Sequence, residues 1–299
     1  MKNTPAPVAI FCFQRFDLLK NLLISLEKNK LSKKTTVYFF SDSCFQNIES
    51  EDIKKVRMLI KNCNFFKKKN VVFRDKNFGL KNNILNGISH VFIKHKKIIV
   101  LEDDLEVSKN FLETMNILLN KYEKKKDICT ITGYTFPENI IKTANIKENF
   151  FLLKRPSSWG WATWRGKWKD VNNVKIEERL DVKEYGNDLT IMNNKQTKGL
   201  LNSSWAYDWT MRHIKNGKFC IYPKFCMVKN QGFDDLATNN FLKNKKKFTE
   251  IKNFNFKNYA YQNENSKIKN LSKLNYDIDP LMFIIKLLYY TLFYGKPKK

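Results

Sequence analysis

Strand-like and helix-like segments alternate through the first half of this chain at a pitch that leaves few folds open. Val8–Phe13 is a short apolar run, and Leu18–Leu26 then carries helical spacing. Thr36–Phe40 is β-branched and aromatic and ends in Ser41-Asp42-Ser43, and Ile53–Ile60 again fits a helix. Val71–Phe73 reads as a third strand, after which Leu80, Ile84, Leu85, Ile88 and Phe92 fall on one helical face. Ile98–Leu101 is a fourth apolar strand, followed by a helix over Phe111–Tyr122 and a strand over Ile128–Ile131. Such alternation predicts an α/β fold with a mostly parallel, doubly wound sheet. Sheets of this kind bind ligands outside the carboxyl ends of their strands.

The second half changes character. A Trp-rich block runs Ser158-Trp159-Gly160-Trp161-Ala162-Thr163-Trp164, with Trp168 beyond it. A second block runs Ser204-Trp205-Ala206-Tyr207-Asp208-Trp209-Thr210-Met211-Arg212. Past Asn239 the chain becomes Lys- and Asn-rich. We therefore expect one domain over 1–240, with a first half to 135 and a second over 136–240. The remainder, 241–299, is expected as a basic extension: a weakly structured linker over 240–275 and an amphipathic tail over 276–294.

Charge and composition limit the function classes. The chain has 299 residues, long enough to bury a sizeable core, with 55 Lys+Arg against 29 Asp+Glu, a net charge of +26. Only seven of the basic residues are Arg (15, 57, 74, 155, 165, 179 and 212). Reading bases in nucleic acid favours the Arg fork, so a nucleic-acid partner is not expected. Lys, Asn, Ile and Phe all have AT-rich codons, and codon bias with solvated Lys faces is the bland explanation of the charge. The positive field still favours anionic partners, including an anionic membrane surface reached by Lys243–Lys247 and the apolar tail; a tail helix packed on its own domain is the alternative.

The six Cys (12, 44, 63, 129, 220 and 226) show no CxxC and no metal-finger spacing, and Cys12, Cys129 and Cys220 sit in strand-like runs. Free thiols in a reducing cytoplasm are the expectation. The start, MKNTPAPVAIFCF, lacks a signal-peptide layout, and Leu281–Tyr294 is apolar but short of the ~18 residues a membrane span needs. The expected location is cytoplasmic, at most peripheral on the inner face of the cytoplasmic membrane.

The sharpest chemical signal is Lys97-Ile98-Ile99-Val100-Leu101-Glu102-Asp103-Asp104-Leu105-Glu106-Val107. Adjacent carboxylates directly after a buried strand are costly unless a cation or ordered donors compensate. Hard oxygen ligands suit Mg²⁺ or Mn²⁺, which can bridge a diphosphate and relieve charge on a nucleotide leaving group. The bland alternative is a helix start with acids at the dipole's positive end.

This stretch resembles the DxD-type motif of GT-A fold glycosyltransferases. It is most similar to the N-acetylglucosaminyltransferase I family, which adds a β-1,2-linked N-acetylglucosamine to mannose and carries the same EDDLEV run. That family also has a Gly-Trp element, similar to Gly160-Trp161 after Arg155-Pro156 here, and a Trp-Asp-Asp-Trp-Met-Arg helix start. Trp205–Arg212 looks similar to the latter with one extra residue before Met211. Phe13-Gln14-Arg15 resembles the family's Cys-Asp-Arg, and Ser41-Asp42-Ser43-Cys44 its Gln-Asp-Cys. The resemblance spans roughly 8–235 and points to a bacterial relative.

The resemblance implies a GT-A (Rossmann-like) domain that inverts the anomeric centre in one displacement, using Mn²⁺ or Mg²⁺. It implies Asp104 as the metal ligand, Glu102 and Asp103 at the nucleoside, Asp42 at the base, Arg15 at the nucleoside end of the donor, and Asp208 as general base. The expected function is transfer from a nucleotide-sugar donor, a UDP-sugar such as UDP-GlcNAc, to a glycan or glycolipid acceptor such as lipooligosaccharide or capsule. Asp75–Asn86, with Asn77, Gly79 and Lys81, and everything beyond Asp235 depart from the family.

Elementary chemistry runs the same way. Displacement at an anomeric carbon needs a nucleophile made more basic, a leaving group relieved of charge, and both held in line. Asp208 offers the base, and the flanking Tyr207 and Trp209 are expected to desolvate it. Trp161, after Gly160, is the candidate platform for an acceptor sugar, whereas Trp164 and Trp168, four apart, read as a helix face. His90, His95 and His213 fit structural roles better than metal ligation. Asn230–Asp235 reads either as a loop closing over the donor or as a surface turn. Two rivals stand beside this reading. A sugar-phosphate nucleotidyltransferase lacks its Gly-rich start here, since Ala9–Leu19 contains no Gly. A non-catalytic basic binding protein for anionic glycans or nucleic acid explains the charge but not the acids behind a buried strand.

Overall fold

The computed structural model describes residues 4–44, 50–172, 181–197, 205–232 and 250–276. The first half alternates as its sequence predicts: β1 (Val8–Cys12), α1 (Phe16–Glu27), β2 (Thr36–Ser41), α2 (Glu51–Asn62), β3 (Lys68–Phe73), α3 (Gly79–Lys94) and β4 (Lys97–Glu102). There follow β5 (Leu105–Val107), α4 (Phe111–Lys121), β6 (Ile128–Thr132), α5 (Glu138–Thr143), β7 (Phe150–Leu153), β8 (Trp161–Trp164) and α6 (Arg165–Asn172). The chain continues through α7 (Asn187–Thr197), α8 (Trp205–Lys215), β9 (Phe219–Pro223), β10 (Val228–Asn230), β11 (Tyr261–Gln262) and α9 (Ser266–Tyr276).

Among the described residues the main sheet has nine strands in the order β11-β7-β9-β6-β8-β4-β1-β2-β3. Strands β3, β2, β1 and β4 are mutually parallel. Strand β8 runs antiparallel between β4 and β6, while β9 is parallel to β6 and antiparallel to β7. The result is α/β with a large, mostly parallel mixed sheet, compatible with a Rossmann-like fold.

Alternation along each strand explains the layering. In β1, Val8, Ile10 and Cys12 join one apolar cluster, while Ala9 and Phe11 join the other. Strands β2 and β4 divide in the same way, with Phe39 and Leu101 on one side and Phe40 and Val100 on the other. Both faces are thus buried, as a parallel sheet requires. Helices α1, α2 and α4 supply Leu22, Val56 and Met115 to the first face. Helices α3 and α8 supply Ile84, Ile88, Trp205 and Trp209 to the second.

The strand order places a switch point. From β1 the chain steps outward to β2 and β3, then returns across β1 to form β4 on its other side. The crevice beyond the carboxyl ends of β1 and β4 is where open α/β sheets take their ligands.

Two expectations need correction, and one alternative falls away. Trp164 and Trp168 do not share a helix face: Trp164 ends β8 and packs in one cluster, and Trp168 lies on α6 and packs in the other. The triple acid does not begin a helix, because Glu102 ends β4 and the chain turns directly into β5. Residues 250–276 are not a linker. Strand β11 pairs with β7, and α9 buries Ile268, Leu271, Ser272 and Asn275 against the domain. The domain therefore continues past 240. Lys243–Lys247 and most of the expected tail lie outside the described residues. Among the described residues no helix is long and apolar enough to cross a membrane.

Candidate functional site

Three neighbouring strands deliver polar side chains to one edge of the sheet. Beyond β1 stands Arg15, beyond β2 stands Asp42, and β4 ends in Glu102 with Asp103 and Asp104 in the turn that follows. The turn is held from two sides. The backbone N–H of Asp103 donates to the carbonyl of Phe11 at 3.0 Å, and its Oδ2 accepts from the N–H of Phe13 at 3.0 Å. On the other side β5 pairs antiparallel with β10, and the N–H of Gln231 donates to the Asp104 carbonyl at 2.7 Å.

Crowding sets the electrostatics. Burial, reinforced by Asp104 and Asp103, pushes the Glu102 carboxyl well above the usual carboxylate range, against the pull of Arg15. The Asp103 carboxyl is pushed up to about 7, again by burial first and Asp104 second, although the Phe13 N–H and Arg15 oppose the shift. Asp104 forms an ion pair with Arg15, Oδ2 to Nη1 at 3.3 Å, with both side chains largely buried. Negative charge is therefore disfavoured in the turn beyond what Arg15 offsets.

The acidic turn offers few carboxylates to a cation. Among the described residues no three acidic, His or Cys side chains converge on a common point. Asp103 is committed to the Phe13 N–H. Asp104, ion-paired with Arg15, is the carboxylate that could hold Mn²⁺ or Mg²⁺, a cation whose remaining ligands would be water and phosphate oxygens.

Asp42 is 5% exposed, and its Oδ1 accepts from the N–H of Ser43 at 2.9 Å and of Phe78 at 2.8 Å. Phe78 is the N-cap residue of α3, where no side chain of its own segment caps the helix. Asp42, just beyond β2, instead holds the backbone of that N-cap residue, and Asn77 adds a bond from Nδ2 to the Ser43 carbonyl at 2.5 Å. The start of α3 is thus tied to the strand edge. Arg74 lies over the Phe78 ring at 4.3 Å and bonds Asn83 and Asn86.

Asp208 sits in the first turn of α8, and its Oδ2 meets Lys81 Nζ of α3 at 3.0 Å. The sequence predicts an apolar surround for Asp208, whereas the structure sets the Lys81 ammonium against it. Lys81 thus links Asp208 to the same helix start that Asp42 anchors.

Trp161 is not a surface platform. It is fully buried in β8, with ring centroids 4.6 Å from Trp209, 5.4 Å from Trp168 and 5.9 Å from Trp205. Gly160 takes φ 57°, which permits the tight turn expected there, but the turn aims the indole into the core. Trp161 is the centre of the aromatic layer that carries α8. His213, also fully buried, bonds Thr130 Oγ1 at 2.8 Å, and burial pushes its imidazole down to about 3. It is a neutral core histidine.

Sequence reasoning left two contributors unassigned. Lys81 stood among residues without a family counterpart, and nothing local marks its partner 127 residues away. Gly232 belongs to the stretch whose sequence fits either a closing loop or a surface turn; Phe233 and the acids after it lie outside the described residues. A Cβ added at Gly232 would overlap the Asp104 carboxylate and stand 2.8 Å from Arg15 Nη1. The strap 230–232 therefore packs directly on the acidic turn, latched by Gln231 Nε2 to Glu106 at 2.6 Å. No family model matches this chain, and no curated protein shows significant similarity to it.

Proposed function

We propose that this protein is a GT-A type glycosyltransferase that moves a sugar from a nucleotide-sugar donor, a UDP-sugar such as UDP-GlcNAc, to a glycan or glycolipid hydroxyl. The observation that carries the reading is the acidic turn Glu102–Asp104, its carboxyls crowded together at the carboxyl end of β4 beside the switch point and raised above their usual range. Carboxyls kept above their usual range at a ligand crevice are a recognised mark of a functional site. The EDDLEV run and the Trp205–Arg212 resemblance add the reaction class.

In this reading Asp42 and Arg15 face the nucleoside side of the donor, and Asp103 shapes the turn. Mn²⁺ or Mg²⁺ held by Asp104 would offset the charge left on the departing diphosphate. Asp208 takes the proton from the acceptor hydroxyl as its oxygen attacks the anomeric carbon and the bond to the diphosphate breaks. The configuration inverts in that single displacement. The surplus of Lys favours an anionic acceptor, such as a surface lipooligosaccharide or capsule, acted on from the cytoplasmic side.

The test is hydrolysis of a nucleotide-sugar panel without acceptor, with and without Mn²⁺. One donor is expected to be consumed slowly by the wild type with metal, and by Asp104→Asn hardly at all. Equal turnover by wild type and Asp104→Asn, or no turnover of any donor, would remove the reading.

A further inference from the structure

We propose that Lys81 is a positioning residue that holds and aims the carboxylate of Asp208; the inference rests on the assignment of Asp208 as base made above. Lys81 and Asp208 are 127 residues apart, yet Nζ and Oδ2 meet at 3.0 Å. The meeting is set by packing beneath it. Lys81, Ile84, Leu85 and Ile88 fall at i, i+3, i+4 and i+7 on one face of α3. Ile84 and Ile88 are fully buried in the cluster that holds Trp161, Trp168, Trp205 and Trp209. Trp205 and Trp209 stack at 5.6 Å and lock the rotation of α8. With both helices fixed on one aromatic layer, Lys81 and Asp208 stand at its lip.

The pair is part-buried, the Lys81 side chain 43% exposed and that of Asp208 19%. An ion pair with one partner so exposed adds little to stability. The contact is built on helices anchored elsewhere, so its loss need not unfold anything. It also completes a chain of contacts. Asp42 binds the N–H of Phe78 at the start of α3, and Lys81 on the first turn of that helix reaches Asp208. The residue assigned to the nucleoside and the residue assigned to proton transfer are thereby held on one brace.

The experiment compares wild type with Lys81→Met, Lys81→Arg, Asp208→Asn and the double variant Lys81→Met/Asp208→Asn, in Mn²⁺-dependent donor hydrolysis, with melting temperatures beside the kinetics. A well-placed base contributes about 10²–10⁴-fold, and misalignment forfeits part of that. Lys81→Met is expected to lower kcat about tenfold with KM within about twofold and an unchanged melting temperature. Lys81→Arg should recover most of the rate, and the double variant should match Asp208→Asn, because Lys81 acts only through Asp208. A raised KM at constant kcat would mean that Lys81 grips the donor itself, and would overturn the proposal. So would an undiminished kcat, or a loss that recurs in the Asp208→Asn background. A wild type inert towards every donor would fell the functional reading and this inference together. An active wild type matched by Asp208→Asn would fell the assignment of Asp208 as base and this inference with it, while the metal-dependent transferase reading stood.

Discussion

Replacing Asp103 by Asn should stabilise the protein at alkaline pH and leave it nearly unchanged in acid. The carboxyl is 8% exposed and is pushed from 3.8 to about 7 by burial and by Asp104. A carboxyl that titrates higher in the folded chain makes the fold lose stability as pH rises between the unfolded and folded values, because the native state binds the extra proton. About 3 units at 1.36 kcal/mol each set a ceiling of about 4 kcal/mol. Glu102 and Asp104 share that repulsion, so the expected gain for one neutralised group is about 1–3 kcal/mol. The Asn carbonyl oxygen can still accept from the Phe13 N–H, now at Asp103 Oδ2. The assay is thermal melting of both proteins in chelator at pH 3, pH 5 and pH 8. At roughly 2 °C per kcal/mol, Asp103→Asn should melt about 2–6 °C above wild type at pH 8, with less than half of that offset at pH 5, part-way through the window, and almost none at about pH 3. A variant less stable at pH 8, or offset equally at every pH, would refute the picture of a crowded turn with raised carboxyls.

Three further outcomes follow from the packing. Gly232→Ala forces a methyl group onto the Asp104 carboxylate, so Mn²⁺-dependent donor hydrolysis should fall at least about tenfold at a stability cost of about 1–3 kcal/mol; Gly166→Ala, where a Cβ meets nothing within 4 Å, is the silent control. Arg155 is 7% exposed and grips Asp188 at 2.9 and 2.7 Å, so Arg155→Met should cost about 3–5 kcal/mol in urea unfolding, with part recovered when Asp188 is neutralised too. The Trp161 indole N–H has no acceptor among the described residues, so Trp161→Phe loses no hydrogen bond and should cost about 1–2 kcal/mol without changing donor KM, whereas Trp161→Ala should cost about 3–5 kcal/mol.

The parallel half of the fold was legible because a strand buried on both faces reads as an unbroken apolar run, and the helices between carry their own period. Strand β8 was not legible. Trp161-Ala162-Thr163-Trp164 is buried on both faces, yet its Trp residues and Trp168 stand at spacings a helix also uses. Helix α9 was hidden by composition, since Lys and Asn surround the few residues that anchor it, Ile268 and Leu271 among them. At the site, the acidic turn announced itself because carboxylates behind an apolar strand are costly. The partners of that turn and of Asp208 come from contacts between distant segments. Gly232 meets Asp104, and Lys81 meets Asp208, through the meeting of β5 with β10 and the shared aromatic layer. No local pattern encodes either contact.

The central claim is that the carboxyl edge of β1, β2 and β4 binds a nucleoside diphosphate through a cation held at Asp104. Calorimetric titration of UDP into the protein, with and without Mn²⁺ and with Asp104→Asn alongside, tests it most directly. The account predicts binding by the wild type that needs Mn²⁺ and a loss of at least about tenfold in Asp104→Asn. Binding indifferent to both metal and Asp104, or none at all in the wild type, would contradict it.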